Sequence, residues 1–266
     1  DVETSLRNVD GLINELNRLD PALPWEESCR RIGGAEGERL RADLAHLRRY
    51  LAARARGRFV DYRSRLPAMP VASPWDRDID HTALRASQGT AACMHWRGLP
   101  LFKTAFDMSI YSMLLWELRP RGIVELGSGT GSSAVWLADL MDTYDIDGRV
   151  LSLDLKPPKV RHDRVRFLAG DCTRIEAALP ADVLSTLPRP WLVIEDAHVN
   201  VSGVLAYFHG WLKAGDYLII EDSLSKRQEM GRFVDDFPNL YEVDTRYTDF
   251  FGRNVTCAVD SIFVRR

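Results

Sequence analysis

Ile123-Val124-Glu125-Leu126-Gly127-Ser128-Gly129-Thr130-Gly131 reads as an apolar strand that enters a glycine-rich turn and then opens a helix. Glycine has no Cβ, so the backbone can turn tightly there and let a ligand approach closely. The next helix offers its N-terminal amides and positive dipole end to a negative group. A dinucleotide fold would space its glycines G-x-G-x-x-G. Here the spacing is G-x-G-x-G, with an acid, Glu125, two positions before the first glycine. A purely structural turn would look the same, so the decision rests on what lies outward from the loop.

Downstream, short apolar runs alternate with amphipathic stretches. Strands are expected at Gly122–Leu126, Val150–Asp154, Val165–Ala169, Trp191–Glu195 and Tyr217–Glu221. Helices are expected at Asp107–Leu118, with Asp107 as the cap, and at Ser132–Met141 and Val201–Leu212. Such alternation predicts an α/β fold with a mostly parallel sheet and helices on both faces. Tyr241–Tyr247 and Ser261–Val264 are expected to add an antiparallel hairpin around the loop Thr248–Asp260. The strand Val150–Asp154 ends in an acid a little over twenty residues past the last glycine, where a nucleoside-binding fold grips ribose. A carboxylate suits that task because it accepts bonds from both ribose hydroxyls. Gly170-Asp171 comes after the next strand in the same relative place.

The 266 residues suffice for one large core with a smaller appendage. With 45% hydrophobic and 27% charged residues the composition is that of a soluble enzyme, and a cytoplasmic location is expected. A net charge of -3 argues against nucleic-acid binding, and no apolar run is long enough for a bilayer, so no membrane partner is expected. The chain starts at Asp1 rather than Met, so a trimmed boundary is expected there. Cys29, Cys93, Cys172 and Cys257 form no CxxC pair and read as free thiols. Leu40, Leu44, Leu47 and Leu51 make a helical stripe amid Arg39, Arg41, Arg48, Arg49, Arg54, Arg56 and Arg58. The arginines suit an anionic partner or a solvated face, and the stripe suits a homo-oligomer contact or a cover over the substrate site. Pro67, Pro70 and Pro74 interrupt any helix. The expected organisation is an N-terminal helical region at 1–66, a linker at 67–92 and the main domain at 93–266.

Two further strands end in paired acids, Glu195-Asp196 followed by Ala197-His198, and Glu221-Asp222. In a doubly wound sheet these ends are neighbours. Crowded carboxylates raise one another's pKa, and a hard divalent cation, Mg2+ by default, resolves the repulsion. Helix capping by Asp196 and Asp222 would explain one acid per strand but not two.

The loop with its preceding acid resembles the first motif of class I S-adenosylmethionine (SAM)-dependent methyltransferases. Gly98-Leu99-Pro100-Leu101-Phe102-Lys103, Phe106-Asp107 to Trp116, Val124-Glu125-Leu126-Gly127, Ile194-Glu195-Asp196-Ala197-His198 and Gly215-Asp216-Tyr217-Leu218-Ile219-Ile220-Glu221-Asp222 together resemble the cephalosporin hydroxylase-like branch of that class. Tyr247-Thr248-Asp249-Phe250-Phe251-Gly252-Arg253-Asn254 is similar to its closing segment. The branch includes rhamnosyl O-methyltransferases and is similar to Mg2+-dependent sugar and macrolide enzymes.

The resemblance implies a Rossmann-like fold with a seven-stranded sheet, covering roughly Cys93 onward. It implies a cofactor shell of Lys103, Glu125, Gly127, Ser128, Gly129, Gly131, Ser132, Asp154, Asp171 and Glu195 around SAM. It also implies metal ligation by Glu195, Glu221 and Asp222, with Asp196 the substitute where the pattern departs at Glu195 and Ala197. The family's base carboxylate is missing. His198, with Asp196 beside it, is the replacement as catalyst, because a neutral imidazole can take a hydroxyl proton. The expected reaction is transfer of the SAM methyl group to a hydroxyl of a small natural product or sugar. N- or C-methylation, or an auxiliary role in an oxidative methoxylation system, are the alternatives.

Overall fold

The apolar runs around the glycine loop form the parallel heart of an eight-stranded sheet in a computed structural model that describes residues 57–66 and 77–266, with Gly34, Ala35 and Glu38. The chain divides into units Asp1–Gly57 and Arg58–Arg266, and the second unit carries the sheet. The leucine stripe, the arginines of the first unit and Cys29 lie outside the described residues.

In chain order the strands are β1 (Phe59–Asp61), β2 (Met94–Trp96), β3 (Leu99–Leu101), β4 (Gly122–Leu126), β5 (Arg149–Asp154), β6 (Val165–Ala169), β7 (Trp191–Glu195), β8 (Tyr217–Ile220), β9 (Tyr241–Asp244) and β10 (Ile262–Arg265). The helices are α1 (Tyr62–Arg65), α2 (His81–Ala86), α3 (Ala105–Leu118), α4 (Ser132–Thr143), α5 (Ile175–Ala178), α6 (Ala181–Leu184), α7 (Val201–His209), α8 (Arg227–Asp236) and α9 (Thr245–Thr248). The sheet runs β1-β9-β10-β8-β7-β4-β5-β6, and β2 with β3 form a separate hairpin. Strands β8, β7, β4, β5 and β6 are mutually parallel, whereas β10 is antiparallel to both β8 and β9. The chain winds outward from β4 to β6, then restarts at β7 on the other side. That reversal between β4 and β7 is the switch point at which open sheets of this kind hold ligands.

Both faces of the central strands are covered, so β4, β7 and β8 are buried at every position. One layer of core, with Leu126, Val193, Phe208 and Met230, fills the side of α7 and α8. The other, with Ile123, Trp136, Ile194 and Leu114, fills the side of α3 and α4. Cutting one such leucine to alanine, Leu126 for example, would cost about 2–5 kcal/mol.

Four expectations are corrected. The cap of α3 is Thr104, whose hydroxyl accepts the Asp107 amide, while Asp107 is buried inside the first turn. Its carboxylate accepts from the hydroxyl of Thr256 and the amide of Cys257, which ties the closing loop to α3. The strand expected over Tyr241–Tyr247 stops at Asp244, because the Asp244 carboxylate accepts the Arg246 amide and starts α9. The sheet has an eighth strand, β1, paired antiparallel to β9. Residues 58–66 therefore belong with the main sheet rather than with an N-terminal helical region. Arg65 fixes them there, paired with Asp249 and Asp260 at 2.6 Å each, all three buried. Finally, the segment 67–92 expected as a linker carries α2, which buries Leu84.

Candidate active site

Three loops meet at the switch point. Gly127 has φ 97°, and a Cβ there would stand 2.6 Å from the backbone oxygen of Asp196. Only glycine lets the turn after β4 lie directly against the turn after β7. The Gly127 amide donates to Leu153 O at 2.8 Å and the Asp196 amide to Leu126 O at 2.9 Å, so the strand ends stay in register. Gly131 (φ 81°) leads into α4 without a side-chain cap. Asp154 accepts the Gly129 amide at 3.1 Å and the Lys156 amide at 2.9 Å. Asp171 accepts the Thr173 amide at 2.8 Å, and hydrogen bonds from Thr173 hold its carboxyl below the usual range.

Between these loops lies a cleft of about 310 Å³ whose wall includes Gly127, Gly129, Asp154, Asp171 and Asp196. Two large apolar side chains also face it with unusual exposure, Leu155 at 69% and Val199 at 43%. Acids on the rim with apolar flanks suit a nucleoside, which brings hydroxyls to accept from and a flat ring to cover.

Other expected cofactor residues do not line this cleft. Glu125 is buried, accepts the Ser152 hydroxyl at 2.5 Å, and is pushed up by burial. Ser128 pairs with the same Ser152 hydroxyl at 2.6 Å. The Ser132 hydroxyl donates to Pro100 O at 2.5 Å, pinning the β2–β3 hairpin to the glycine loop. These three build the loop from beneath. Lys103 is buried at the cap of α3, ion-paired to Glu221 and 3.3 Å from Asp196.

The acid cluster divides by position in each pair. Glu195 ends β7 and points inward, where Lys226 Nζ donates to it at 2.6 Å and the amides of Ala197 and His198 also donate. Glu221, just past β8, is buried against Lys103 and accepts the Tyr111 hydroxyl at 2.5 Å. Burial pushes Glu221 up, but Lys103 and its hydrogen bonds outweigh this and hold it low. Both first acids, expected as metal ligands, are thus already engaged by buried lysines, and Glu195 does not line the cleft beside the glycine loop.

The second acids emerge instead. His198 (φ 59°) and Asp222 (φ 46°) are both left-handed, a conformation that costs a non-glycine residue free energy and turns these side chains back over the strand ends. His198 Nε2 lies 3.3 Å from Asp196 Oδ1 and 3.6 Å from Asp222 Oδ2. One donor atom from each of the three falls within 4.8 Å of the others. That spacing fits donors shared by one ion. The charges fit as well: among the described residues Asp196 and Glu221 share the single Lys103 ammonium, and Asp222 joins them through His198. Burial and the Glu221 charge accordingly hold Asp196 well above the carboxylate range, against the pull of Lys103. A second group, Asp139, Asp142 and His162, is also close-set but already pairs with Arg97 and Arg164.

Asp222 also borders a second cavity of about 320 Å³, with Thr104, Ser225 and Cys257 on its wall. Asp196 thus belongs to the first cleft and to the acid cluster, and Asp222 to the cluster and to the second cavity. Lys226 and Tyr111 are the site residues that sequence reasoning missed. Each carries a signal visible only in three dimensions, a buried polar head whose partner is remote in the chain.

Residues 88–261 match the family described as Rhamnosyl O-methyltransferase/CmcI. A rhamnosyl O-methyltransferase of Mycobacterium leprae (strain TN) is 29% identical over 191 residues, spanning 64% of this chain and 82% of the relative. A solved structure of CmcI with SAH is 27% identical with a TM-score of 0.54, covering 75% of this chain and 98% of that one. CmcI in a form described as Mg-SAM shares the fold with a TM-score of 0.55 at 24% identity, over 80% of this chain and 98% of that one. With the strand order, the glycine loop and the cleft at its switch point, the match over residues 88–261 shows that this chain belongs to the rhamnosyl O-methyltransferase/CmcI family of class I SAM-dependent methyltransferases.

Proposed function

We propose that the protein moves a methyl group from SAM to a hydroxyl of a sugar or other small hydroxylated natural product, with help from a divalent cation. The observation that carries this reading is the position of Asp196, which walls the nucleoside cleft and also faces His198 and Asp222. The residues that would bind the cofactor and those that would hold the cation therefore share Asp196. Similarity to a rhamnosyl O-methyltransferase supports an oxygen acceptor over nitrogen or carbon.

In this reading Asp154 would accept from ribose hydroxyls, Leu155 and Val199 would flank the base, and the uncapped start of α4 would face a carboxylate; their places on the cleft wall and at the glycine loop support it. Asp196, His198 and Asp222 would hold the cation, while Glu195 and Glu221 brace the strand ends through their lysines. Mg2+ prefers oxygen donors, and the imidazole extends the fit to Mn2+. When bound, SAM supplies an electrophilic methyl carbon and the cation lowers the pKa of an acceptor hydroxyl. The protein would contribute alignment: Asp196 lines one cavity and Asp222 the other, and His198 lies near both carboxylates, so a cofactor and an acceptor held in the two cavities would be brought together at this cluster. In the transfer the hydroxyl oxygen would bond to the methyl carbon as the carbon–sulfur bond breaks, S-adenosylhomocysteine would leave, and the hydroxyl proton would pass to solvent water beside the half-exposed His198.

A second reading has its own support. His198 is about half exposed and sits 3.3 Å from Asp196, the arrangement of an imidazole base oriented by a carboxylate. Activity in a chelator separates the two. The direct test of the main reading is to incubate the protein alone with SAM, Mg2+ and a panel of rhamnosides, other vicinal diols and catechols. A methyl ether found by mass spectrometry supports it. A requirement for an oxidant or a partner protein would support the oxidative alternative. The homo-oligomer belongs to the same proposal and is read by light scattering. Among the described residues no helix is long and apolar enough to cross a membrane.

A further inference from the structure

The cavity beyond Asp222 is unlike the nucleoside cleft in charge. Arg77, His81 and Arg85 all line it, with Gln88 and Thr104 as neutral polar neighbours, and Asp222 is the one acid on its wall among the described residues. Neither Arg77 nor Arg85 has an ion-pair partner among the described residues. Arg77 is the more telling. It donates from Nη2 to the Thr256 carbonyl at 3.1 Å, while its Nε is buried with no partner among the described residues. Burial holds this guanidinium below its ordinary value. Asp107 and Asp222 act on it only at longer range, and a desolvated cation with no direct ion pair is costly, so such a group is kept where a ligand supplies the missing partner. Arg85 projects from the exposed side of α2 into the same space. If Asp222 is shared with a cation, its charge offsets the two arginines less.

Resting on the assignment of this cavity to the methyl acceptor, we infer that the acceptor carries an anionic oxygen group, of the carboxylate type, seated between Arg77 and Arg85 while its hydroxyl lies toward Asp222. Guanidinium groups take such an anion through two parallel hydrogen bonds, which fixes direction as well as adding affinity. The anion would set which hydroxyl of a polyhydroxylated acceptor faces the methyl carbon. Arg77 and Arg85 would thus be specificity-determining residues, away from the reacting atoms.

The test uses two probes that share a vicinal diol and differ by one carboxylate, protocatechuate and catechol. Each is titrated calorimetrically into the full chain with Mg2+ and S-adenosylhomocysteine present. Protocatechuate is expected to bind at least about tenfold tighter, the scale of one charge-assisted pair. Arg77→Met and Arg85→Met are each expected to lose most of that preference while S-adenosylhomocysteine affinity stays unchanged. Arg85 is exposed, so its variant remains informative even if Arg77→Met fails to fold. Equal binding of the two probes, no detectable binding of protocatechuate, or a preference that survives in Arg85→Met and in folded Arg77→Met would overturn the inference. Failure of the wild-type protein to bind S-adenosylhomocysteine would strike the cofactor reading instead, because the probe preference is read as a ratio.

Discussion

Lys226 Nζ donates to Glu195 Oε2 at 2.6 Å, with 5% and 0% of the two side chains exposed. Removing one partner leaves a buried charge alone, so Lys226→Met should cost about 3–5 kcal/mol of stability. Adding Glu195→Gln to that variant should recover a large part of the loss. Urea denaturation of the two single variants and the double variant checks this. A loss well under about 1 kcal/mol in Lys226→Met would mean that Glu195 has another partner, a metal ion included.

Asp222→Asn should cut turnover at least about a hundredfold, beyond the range for residues that only orient a ligand. SAM affinity should survive, because the nucleoside cleft does not include Asp222. EDTA should abolish activity and Mg2+ or Mn2+ restore it. Full turnover by protein shown to be free of metal would leave His198, oriented by Asp196, as the proton acceptor.

Asp154→Ala should weaken SAM binding by about 1.5–3 kcal/mol, the scale of hydrogen bonds to a charged acceptor. At saturating SAM the rate should be much less affected. The lost bonds to Gly129 and Lys156 amides also touch the loop, so calorimetry should be paired with a melting curve. A folded variant with unchanged affinity would take Asp154 out of the site.

Gly127→Ala and Gly129→Ala form a matched pair. Both positions have positive φ, but a Cβ at Gly129 meets nothing within 4 Å, whereas one at Gly127 would strike the Asp196 backbone. Each should lose about 1–3 kcal/mol to backbone strain. Only Gly127→Ala should also depress turnover, since it displaces a residue shared by the cofactor cleft and the acid cluster. Equal turnover in the two variants would refute that coupling.

The parallel strands were legible because each is an apolar run bounded by turn residues, and Gly122–Leu126, Val165–Ala169 and Trp191–Glu195 match to the residue. That Asp154 and Asp171 come together on one cleft was legible because strand ends fix where an acid must fall. What stayed hidden was non-local. Nothing near Glu221 in sequence points to Lys103, 118 residues earlier, so two acids in a row read as two ligands. Side-chain direction at a strand end depends on the backbone, and the left-handed turns at His198 and Asp222 have no glycine to announce them. The three-residue β1 was hidden for the same reason, since its pairing with β9 spans most of the chain.

The placement of β10 bears on synthesis. A ribosome delivers this strand after the other nine, yet it lies between β8 and β9. Until Ile262–Arg265 emerges, β8 exposes an open edge and neither β9 nor β1 can join the sheet through its native neighbours. An unpaired edge on a nascent chain is a template for wrong pairing. Maturation of this enzyme should therefore hinge on a few late residues far from its chemistry, and deleting β10 should yield aggregates rather than a slower catalyst.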